Sequence, residues 1–427
     1  MTEFIRIFLI VLENIGIVLA TGILLLRTAD LIGIQRAGDI WAKILPKSIE
    51  GSFQATQSPW SRQEWAWVIA APMVYQVLFF AAVHVILRNE FSSLTFDSFL
   101  KAWAGWDAVH YLNIASNGYL SSGATQKSIV FFPLFPWCVS AISSLGFSVL
   151  HAALLLNFAL GPVMVFTIVK LGEFDYPRPR VIAAALLLVV LPSSFSQMAP
   201  YTERLFITLL CAALCLMRKG RWLFALLTTF LLGLTRPTGV ALLPAFVAEY
   251  LLIQRATGKK GISIGRDAVV LLGIPCAFVC YLYLNDRCCG GPFAYMAFQR
   301  EYWHRQLAPF WTGINVAFQI KLTDFRTIMT REIAETAAIF ISTIFLLISS
   351  LRQRLTYALI IWGVLILGIS STWVLSMPRY VSVLFPIAFI YVHFLEKIKW
   401  ALALTVAVFV PWAVLYGVWF AQRHWAF

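Results

Sequence analysis

Apolar stretches of about twenty residues recur along this whole chain, with only short polar breaks between them. Of the 427 residues, 60% are hydrophobic and only 12% are charged. A soluble protein needs about 25% charged residues to cover its surface. The sequence therefore predicts an all-α polytopic membrane protein with about twelve or thirteen membrane helices. The candidate segments are 5–27, 65–88, 131–150, 151–171, 180–198, 203–217, 222–235, 238–254, 267–285, 333–351, 355–375, 379–395 and 400–420.

The chain divides into an N-terminal part, residues 1–64, and a larger transmembrane domain, residues 65–427. The first part begins with an apolar segment and continues as an amphiphilic, mildly basic stretch, which we interpret as a cytoplasmic linker. A cleaved signal peptide is the alternative interpretation of that segment. The stretch is long and lacks a small-residue cleavage site before Arg27, which favours a helix that stays.

Basic residues orient the segments in the membrane. The net charge is +13, and the strongest basic clusters lie at 218–221, 255–266, 352–354 and 397–399. In a membrane protein such clusters mark cytoplasmic loops, so the charge does not indicate a nucleic-acid partner. Counting single crossings from residue 180 then leaves five junctions on the opposite face: 198–203, 235–238, 286–332, 375–379 and the C-terminal tail.

The segment 131–150 does not fit a simple crossing. It begins with two prolines, and Gly146 interrupts its end. If the next segment runs inward, a full crossing here would place the preceding polar loop on the wrong side. We therefore predict a re-entrant or tilted helix, which a membrane protein tolerates where other segments cover it. The alternative is a full crossing with a weakly basic loop outside.

The polar stretch 101–136 contains the strongest candidate for chemistry. Asp107 lies between aromatic residues just beyond a hydrophobic segment, where a carboxylate is costly. On a helix, Asp107 shares a face with His110 and Tyr111, and Trp106 supplies an apolar wall. This pattern indicates a general base. The alternative is a helix cap, with Asp107 opening a short helix over 108–116.

Further charged residues collect at the same predicted face. Arg236 and Arg379 each lie beside a proline between apolar segments, and together they suit a phosphate or pyrophosphate leaving group. Lys127 could also meet a phosphate, and Glu203 opens a predicted helix. The alternatives are snorkelling arginines, an interfacial lysine anchor and a glutamate placed by the helix dipole.

The segment 299–305 is dense in hydrogen-bond donors and aromatic rings. Gln299, Trp303, His304 and Arg305 form a set that is typical of a sugar-binding face, and Tyr380 follows Arg379 at another predicted helix end. The alternative interpretation is an interfacial amphipathic helix with an aromatic belt.

Missing motifs narrow the choice of donor. The sequence contains no Walker loop and no dinucleotide fingerprint after a predicted strand. It also lacks an Asp-x-Asp motif in a soluble nucleotide-sugar domain. The seven cysteines and six histidines show no metal-ligand spacing. A sugar donor carried by a lipid is therefore more plausible than a nucleotide sugar.

Taken in order, these motifs resemble the GPI mannosyltransferase II (PIG-V) family and its bacterial relatives. The resemblance covers roughly residues 65–395. It is carried by Trp106-Asp107, His110-Tyr111-Leu112, Ile114-Ala115, Gly118-Tyr119, the run Phe131-Phe132-Pro133-Leu134-Phe135-Pro136, Tyr201-Thr202-Glu203-Arg204-Leu205-Phe206, Arg236-Pro237-Thr238-Gly239, Gln299, Trp303, Arg305, Arg379-Tyr380 and Phe385-Pro386.

The resemblance implies a GT-C fold, a multi-helix bundle with a polar first outer loop. It implies an inverting glycosyltransferase that takes a sugar, typically mannose, from a polyprenyl phosphate on the non-cytoplasmic face. In this family the acidic residue of the first loop is usually catalytic, which here is Asp107. The helical spacing additionally makes His110 the candidate for orienting Asp107. The partners would be the lipid donor, a lipid or glycan acceptor and membrane lipids.

Some points stay open from the sequence. Some GT-C enzymes use a metal, so a divalent cation is conceivable, although no metal-ligand set is evident. The membrane would be the bacterial inner (plasma) membrane or that of the endoplasmic reticulum, depending on the source. A transporter or flippase without chemistry is the main rival, but it predicts internal repeats, and none is evident. A membrane acyl- or phosphoethanolamine transferase is a third interpretation.

Overall fold

The computed structural model describes residues 3–34, 40, 59–91, 93–123, 125–258, 265–319, 325–398 and 400–426. Within these ranges the protein is helical, and its one β-feature is an isolated antiparallel bridge between Leu307 and Ser371. The all-α prediction is confirmed. Most of the predicted cytoplasmic linker lies outside the described residues.

The helices follow one another closely along the chain. The α-helices span Glu3–Leu31, Arg62–Trp65, Ala71–Glu90, Phe96–Ala102, Asp107–Asn117, Leu134–Ser143, Val149–Gly172, Arg178–Val189, Phe195–Met198, Glu203–Arg218, Trp222–Gly233, Thr238–Ala241, Leu243–Ala256, Gly273–Cys289, Ala294–Trp303, Phe310–Ala317, Phe325–Thr327, Ile333–Arg352, Leu355–Ile369, Met377–Val381, Phe385–Leu395 and Ala401–Ala421. Turns of 3₁₀-helix occupy Gln126–Val130, Pro192–Ser194 and Arg266–Leu272, and π-helical turns occupy Ala66–Ala70 and Ile328–Glu332.

The number of full membrane crossings differs from the number of apolar segments. Seven helices in the described ranges are long and apolar enough to cross a bilayer, and a bent pair, Arg178–Val189 with Pro192–Met198, makes a possible eighth. Four further apolar helices have 10–17 residues. These helices confirm a multi-pass integral membrane protein. The shorter ones show that several predicted segments do not form helices of bilayer length.

The segment 131–150 contains a helix that is shorter than a bilayer crossing. Its helix, Leu134–Ser143, has 10 residues, which is about 15 Å and half the thickness of a hydrocarbon core. The next helix, Val149–Gly172, has 24 residues and is long enough to cross. The short helix packs against Asp107–Asn117, the helix in the loop before it.

The N-terminal helix packs along the bundle. The hydroxyl of Thr343 donates to the buried Glu13 carboxylate, and Trp362 donates to Thr21 over 3.0 Å. A Cβ at Gly16 would lie 2.8 Å from Thr343, so the absence of a side chain lets the two helices approach closely. Glu13, an exception in the apolar pattern, thus has a partner inside the protein.

Two of the basic clusters meet at one end of the bundle. Glu249 is fully buried and accepts from Arg218 at 2.8 Å, Arg354 at 2.9 Å and Thr356 at 2.6 Å. Arg218 also pairs with Asp175 at 2.5 Å. Four separate chain segments are joined here, and this agrees with their common assignment to the cytoplasmic side.

This buried network carries a stability prediction. Glu249→Gln leaves two buried guanidinium groups short of a carboxylate, and we expect a loss of about 3–5 kcal/mol. Glu396→Gln is the control, because its pair with Arg180 is partly exposed and such pairs contribute little. Thermal unfolding in detergent measures both variants, and equal melting temperatures would contradict the structural role of Glu249.

Candidate functional site

Asp107 begins a helix at the end of the bundle opposite the basic network. The preceding residue, Trp106, has φ 54° and ψ −128°, a backbone conformation that residues with a side chain rarely adopt. The helix Asp107–Asn117 follows at once, so the predicted helix exists. The carboxylate points to Arg379, and Trp106, the capping residue, forms no side-chain cap. The backbone therefore aims Asp107 at the interior of the site.

Four charged side chains form a continuous cluster there. The Oδ2 atom of Asp107 lies 2.6 Å from Nη1 of Arg379. Glu203, which is fully buried, accepts from Nε of Arg379 and lies 3.3 Å from Nη1 of Arg236. Two carboxylates thus face two guanidinium groups. The cluster as it stands is electrically balanced, and Arg379 links the partly exposed Asp107 to the buried Glu203.

Tyrosine rings pack against the guanidinium groups of both arginines. The guanidinium carbon of Arg379 lies 4.0 Å from the ring centre of Tyr201, and that of Arg236 lies 5.4 Å from Tyr380. Burial alone would lower the pKa of Arg379, but the carboxylates of Glu203 and Asp107 raise this pKa well above its usual value. Arg379 is therefore a fixed positive charge.

Arg305 differs from Arg236 and Arg379 in the groups that it contacts. It donates through Nη1 to the Tyr380 hydroxyl at 2.8 Å and through Nε to Ser371 at 3.2 Å. Within the described residues it has no carboxylate at ion-pair distance. Burial would raise the pKa of Tyr380, but Arg305 and Arg236 outweigh it and lower this pKa. Arg305 thus adds a positive charge to the cavity wall that is held by a hydroxyl, a phenol and backbone carbonyls instead of a direct ion pair within the described residues.

His110 does not hydrogen-bond to Asp107, although the sequence suggested that it orients this residue. Its Nδ1 atom lies 2.9 Å from the hydroxyl of Ser128, and its ring stacks on Phe131 at 4.7 Å. Trp303 covers it from another side at 5.5 Å. Burial lowers the pKa of His110, which favours a neutral ring. Arg379, 272 residues away, is the group that orients Asp107.

A cavity of about 950 Å³ opens beside these groups. Its walls contain ten of the predicted site residues: Trp106, Asp107, His110, Tyr111, Arg236, Gln299, Trp303, Arg305, Arg379 and Tyr380. Further tryptophans, Trp373 and Trp425, line it as well. The cavity therefore combines a carboxylate, three arginines and a broad aromatic surface, and such a set of convergent polar groups in an apolar wall is typical of ligand sites.

Three predicted residues lie outside the cavity wall. Lys127 lies 4.9 Å from the ring centre of Tyr302. Glu203 is buried behind the two arginines, where it acts on the cavity through them. The side chain of His304 is exposed, and its backbone has φ 52°. The backbone at His304 turns the chain so that Arg305 reaches inward. The backbone N–H of Arg305 donates to the carbonyl of Gln299.

Sequence reasoning missed two contributors. Tyr201 was part of a motif without a role, and it forms the aromatic floor beneath Arg379. Glu335 is an acidic residue near the start of an apolar helix, and it accepts from the backbone of Ser376 and Met377, just before Arg379. The signal for Glu335 was available, because a carboxylate inside a membrane segment needs a partner.

The described residues do not fit a metal site. In their ranges, no three His, Cys, Asp or Glu side chains come together in a way that could hold a metal ion. The two carboxylates nearest the cavity, Asp107 and Glu203, both face guanidinium groups. We therefore assign no step of the reaction to a metal ion.

Comparison with known proteins confirms the predicted resemblance. No protein-family model matches the chain. The chain is 31% identical over 157 residues to GPI alpha-1,6-mannosyltransferase 2 of Cricetulus griseus, a match that covers 32% of this chain and 31% of that protein. The protein of the same name from Homo sapiens is 29% identical over 149 residues, covering 32% and 29%. The chain thus matches about a third of the length of these curated relatives.

Solved structures that match the chain include the oligosaccharyltransferase of Archaeoglobus fulgidus. Its complex with Zn and sulfate matches with a TM-score of 0.39 and 14% identity, over 82% of this chain and 52% of that chain. Its apo form matches with a TM-score of 0.38 and 12% identity, over 82% and 56%.

Proposed function

We propose that this protein, which resembles GPI mannosyltransferases over about a third of its length, is a membrane glycosyltransferase of the GT-C type. It transfers mannose from a polyprenyl-phosphate donor to a hydroxyl group of a lipid or glycan acceptor on the non-cytoplasmic face. The observation that supports this best is the position of Asp107. Its partly exposed carboxylate lines the cavity, while the arginines beside it offer a place for a phosphate.

The proposed reaction is a single displacement. The acceptor oxygen attacks the anomeric carbon of the donor, and the bond from that carbon to the phosphate oxygen breaks. The acceptor proton passes to the carboxylate of Asp107, and polyprenyl phosphate leaves with the bonding electrons. One displacement of this kind inverts the configuration at the sugar carbon. Asp107 acts as the general base.

The arginines of the cavity stabilise the leaving phosphate. Arg305 has no carboxylate at ion-pair distance within the described ranges, and Arg379 can give up its Nη1 contact with Asp107 for a phosphate oxygen. Such an exchange leaves Asp107 free to take the proton, while Glu203 continues to hold Arg379 through Nε. Preorganised cations in a site with little water are the main catalytic contribution of such a site.

A flippase without chemistry is the second candidate, since a large cavity at one end of the bundle could also carry a lipid headgroup. The two functions are separated by placing purified protein in liposomes with polyprenyl-phosphate mannose and a membrane lipid extract. A transferase releases free polyprenyl phosphate and consumes the donor. A flippase moves the donor between leaflets and leaves it intact. The same assay with and without EDTA tests for a metal requirement.

The role of Arg305 gives a prediction. Arg305→Gln removes this positive charge, and we expect kcat/KM for the donor to fall about 100-fold, because the charge acts on the developing phosphate. Arg287→Gln is the control, since Arg287 is exposed in the last turn of Gly273–Cys289 and is not part of the cavity wall. Donor kinetics measure both variants, and equal values would exclude Arg305 from phosphate binding.

A further inference from the structure

We propose that Glu335 is a positioning residue, which sets the placement of Arg379 and Tyr380 in the cavity. This inference rests on the proposed function, since it concerns the same site. Glu335 lies in the first turn of helix Ile333–Arg352 and is 4% exposed. It is absent from the cavity wall, so it acts through its neighbours.

Both oxygens of the Glu335 carboxylate are used. Oε1 accepts the backbone N–H of Ser376 at 2.5 Å, and Oε2 accepts that of Met377 at 2.7 Å. The short helix Met377–Val381 begins at this point, and its third residue is Arg379. The carboxylate thus clamps the chain two residues before the guanidinium that contacts Asp107.

The clamped turn is otherwise unfavourable. Ser376 has φ 69°, in the left-handed region, which is strained for a residue with a side chain. Its carbonyl accepts from the N–H groups of Arg379 and Tyr380, both at 3.1 Å. Since Glu335 holds the same turn from the other side, loss of its bonds releases the peptide that carries the site residues.

A glutamine cannot replace this carboxylate in full. The side-chain amide introduced by Glu335→Gln would have one acceptor oxygen, and its NH₂ group would face a backbone N–H group. One of the two donors then stays unsatisfied in a buried site, and the turn shifts to relieve it. Displacements of about 1 Å can lower turnover about 100-fold, because the reacting groups no longer align.

Glu13 offers a matched control. It is also a buried glutamate in an apolar helix, 1% exposed, and it too has a partner, the Thr343 hydroxyl, on helix Ile333–Arg352. Neither Glu13 nor Thr343 is part of the cavity wall. We expect Glu335→Gln to lower kcat about 30- to 100-fold and to raise the KM of the donor, because a displaced Arg379 both misaligns the reacting groups and weakens its contact with the donor phosphate. Glu13→Gln should retain most activity at a similar loss of thermal stability.

A second measurement does not depend on transfer. Hydrogen–deuterium exchange of the peptide 372–384, read by mass spectrometry, should accelerate in Glu335→Gln and stay unchanged in Glu13→Gln. Binding of farnesyl phosphate, followed by quenching of the cavity tryptophans, should weaken in the first variant only. Glu335→Asp, which keeps two acceptor oxygens, should recover part of the lost turnover.

The outcomes separate the two proposals. Unchanged exchange and unchanged farnesyl phosphate binding in Glu335→Gln would overturn the positioning role, whatever the enzyme assay shows. Equal loss of activity in the Glu335 and Glu13 variants would also overturn it, because both would then act through stability. If no variant and no wild-type sample transfers mannose, but exchange and binding change as stated, the positioning role stands and the glycosyltransferase assignment fails.

Discussion

Asp107→Asn should abolish mannosyl transfer while the protein stays folded. The amide cannot take the acceptor proton, and general bases contribute about 10²–10⁴-fold to turnover. The helix Asp107–Asn117 should persist, because Trp106 and not Asp107 is its N-cap residue. The rate of donor consumption by the purified variant, with its elution volume and melting temperature, measures both effects.

Asp97→Asn is the matched control for this experiment. Asp97 lies ten residues earlier, in the first turn of Phe96–Ala102, and its pair with Lys101 is largely exposed. We expect near-normal transfer from this variant, since exposed pairs contribute little. Near-normal transfer by Asp107→Asn would remove the general base from the mechanism.

Arg379→Met should affect both stability and activity. The substitution leaves Glu203 buried with Arg236 as its remaining charged partner at 3.3 Å, and breaking buried pairs of this kind costs about 3–5 kcal/mol. It also frees Asp107 and removes a cation from the leaving phosphate, so we expect transfer to fall more than about 10²-fold. Thermal unfolding and donor kinetics measure the two losses.

Two further variants separate charge from geometry at this position. Arg379→Lys keeps the charge, but an ammonium on a flexible stem cannot reproduce the fork that joins Asp107 and Glu203. It should therefore recover stability better than activity. Arg180→Met is the control at the opposite end, where the pair with Glu396 is partly exposed. If Arg379→Lys were fully active, the fixed geometry of the guanidinium would be irrelevant.

The sequence predicted which residues share the site more accurately than it predicted their contacts. Asp107, Glu203, Arg236 and Arg379 stood out because charged groups beside prolines and aromatic rings are unusual at the ends of apolar segments. Positive-inside counting then placed them on one face. The structure brings all four into one cluster. Side-chain chemistry and topology were sufficient for that step.

The sequence did not predict which of these side chains contact one another. Helical spacing placed His110 beside Asp107, but the tertiary fold gives His110 a hydroxyl partner, Ser128, and gives Asp107 the distant Arg379. Local periodicity describes neighbours along one helix, and contacts between segments depend on how the helices pack. For the same reason, the sequence could not show that Glu203 lies behind the arginines instead of in the cavity wall.

Helix lengths were also hard to predict. Apolar composition marks where the chain is buried, but it does not distinguish a full crossing from a half crossing. Leu134–Ser143 has 10 residues and Phe385–Leu395 has 11. Both begin beside residues of the site, where proline and irregular backbone are covered by protein. Segment counting therefore gave the right class of protein, but it did not give the length of each helix.

The most direct measurement is transfer of the sugar itself. Purified wild-type protein is incubated with polyprenyl-phosphate mannose and a membrane lipid extract, and products are identified by mass spectrometry beside the Asp107→Asn and Asp97→Asn variants. We expect a product heavier by one hexose, inverted at the anomeric carbon, from the wild type and from Asp97→Asn. Asp107→Asn should form none. An intact donor with every sample, or the same product from Asp107→Asn, would contradict catalysis by Asp107.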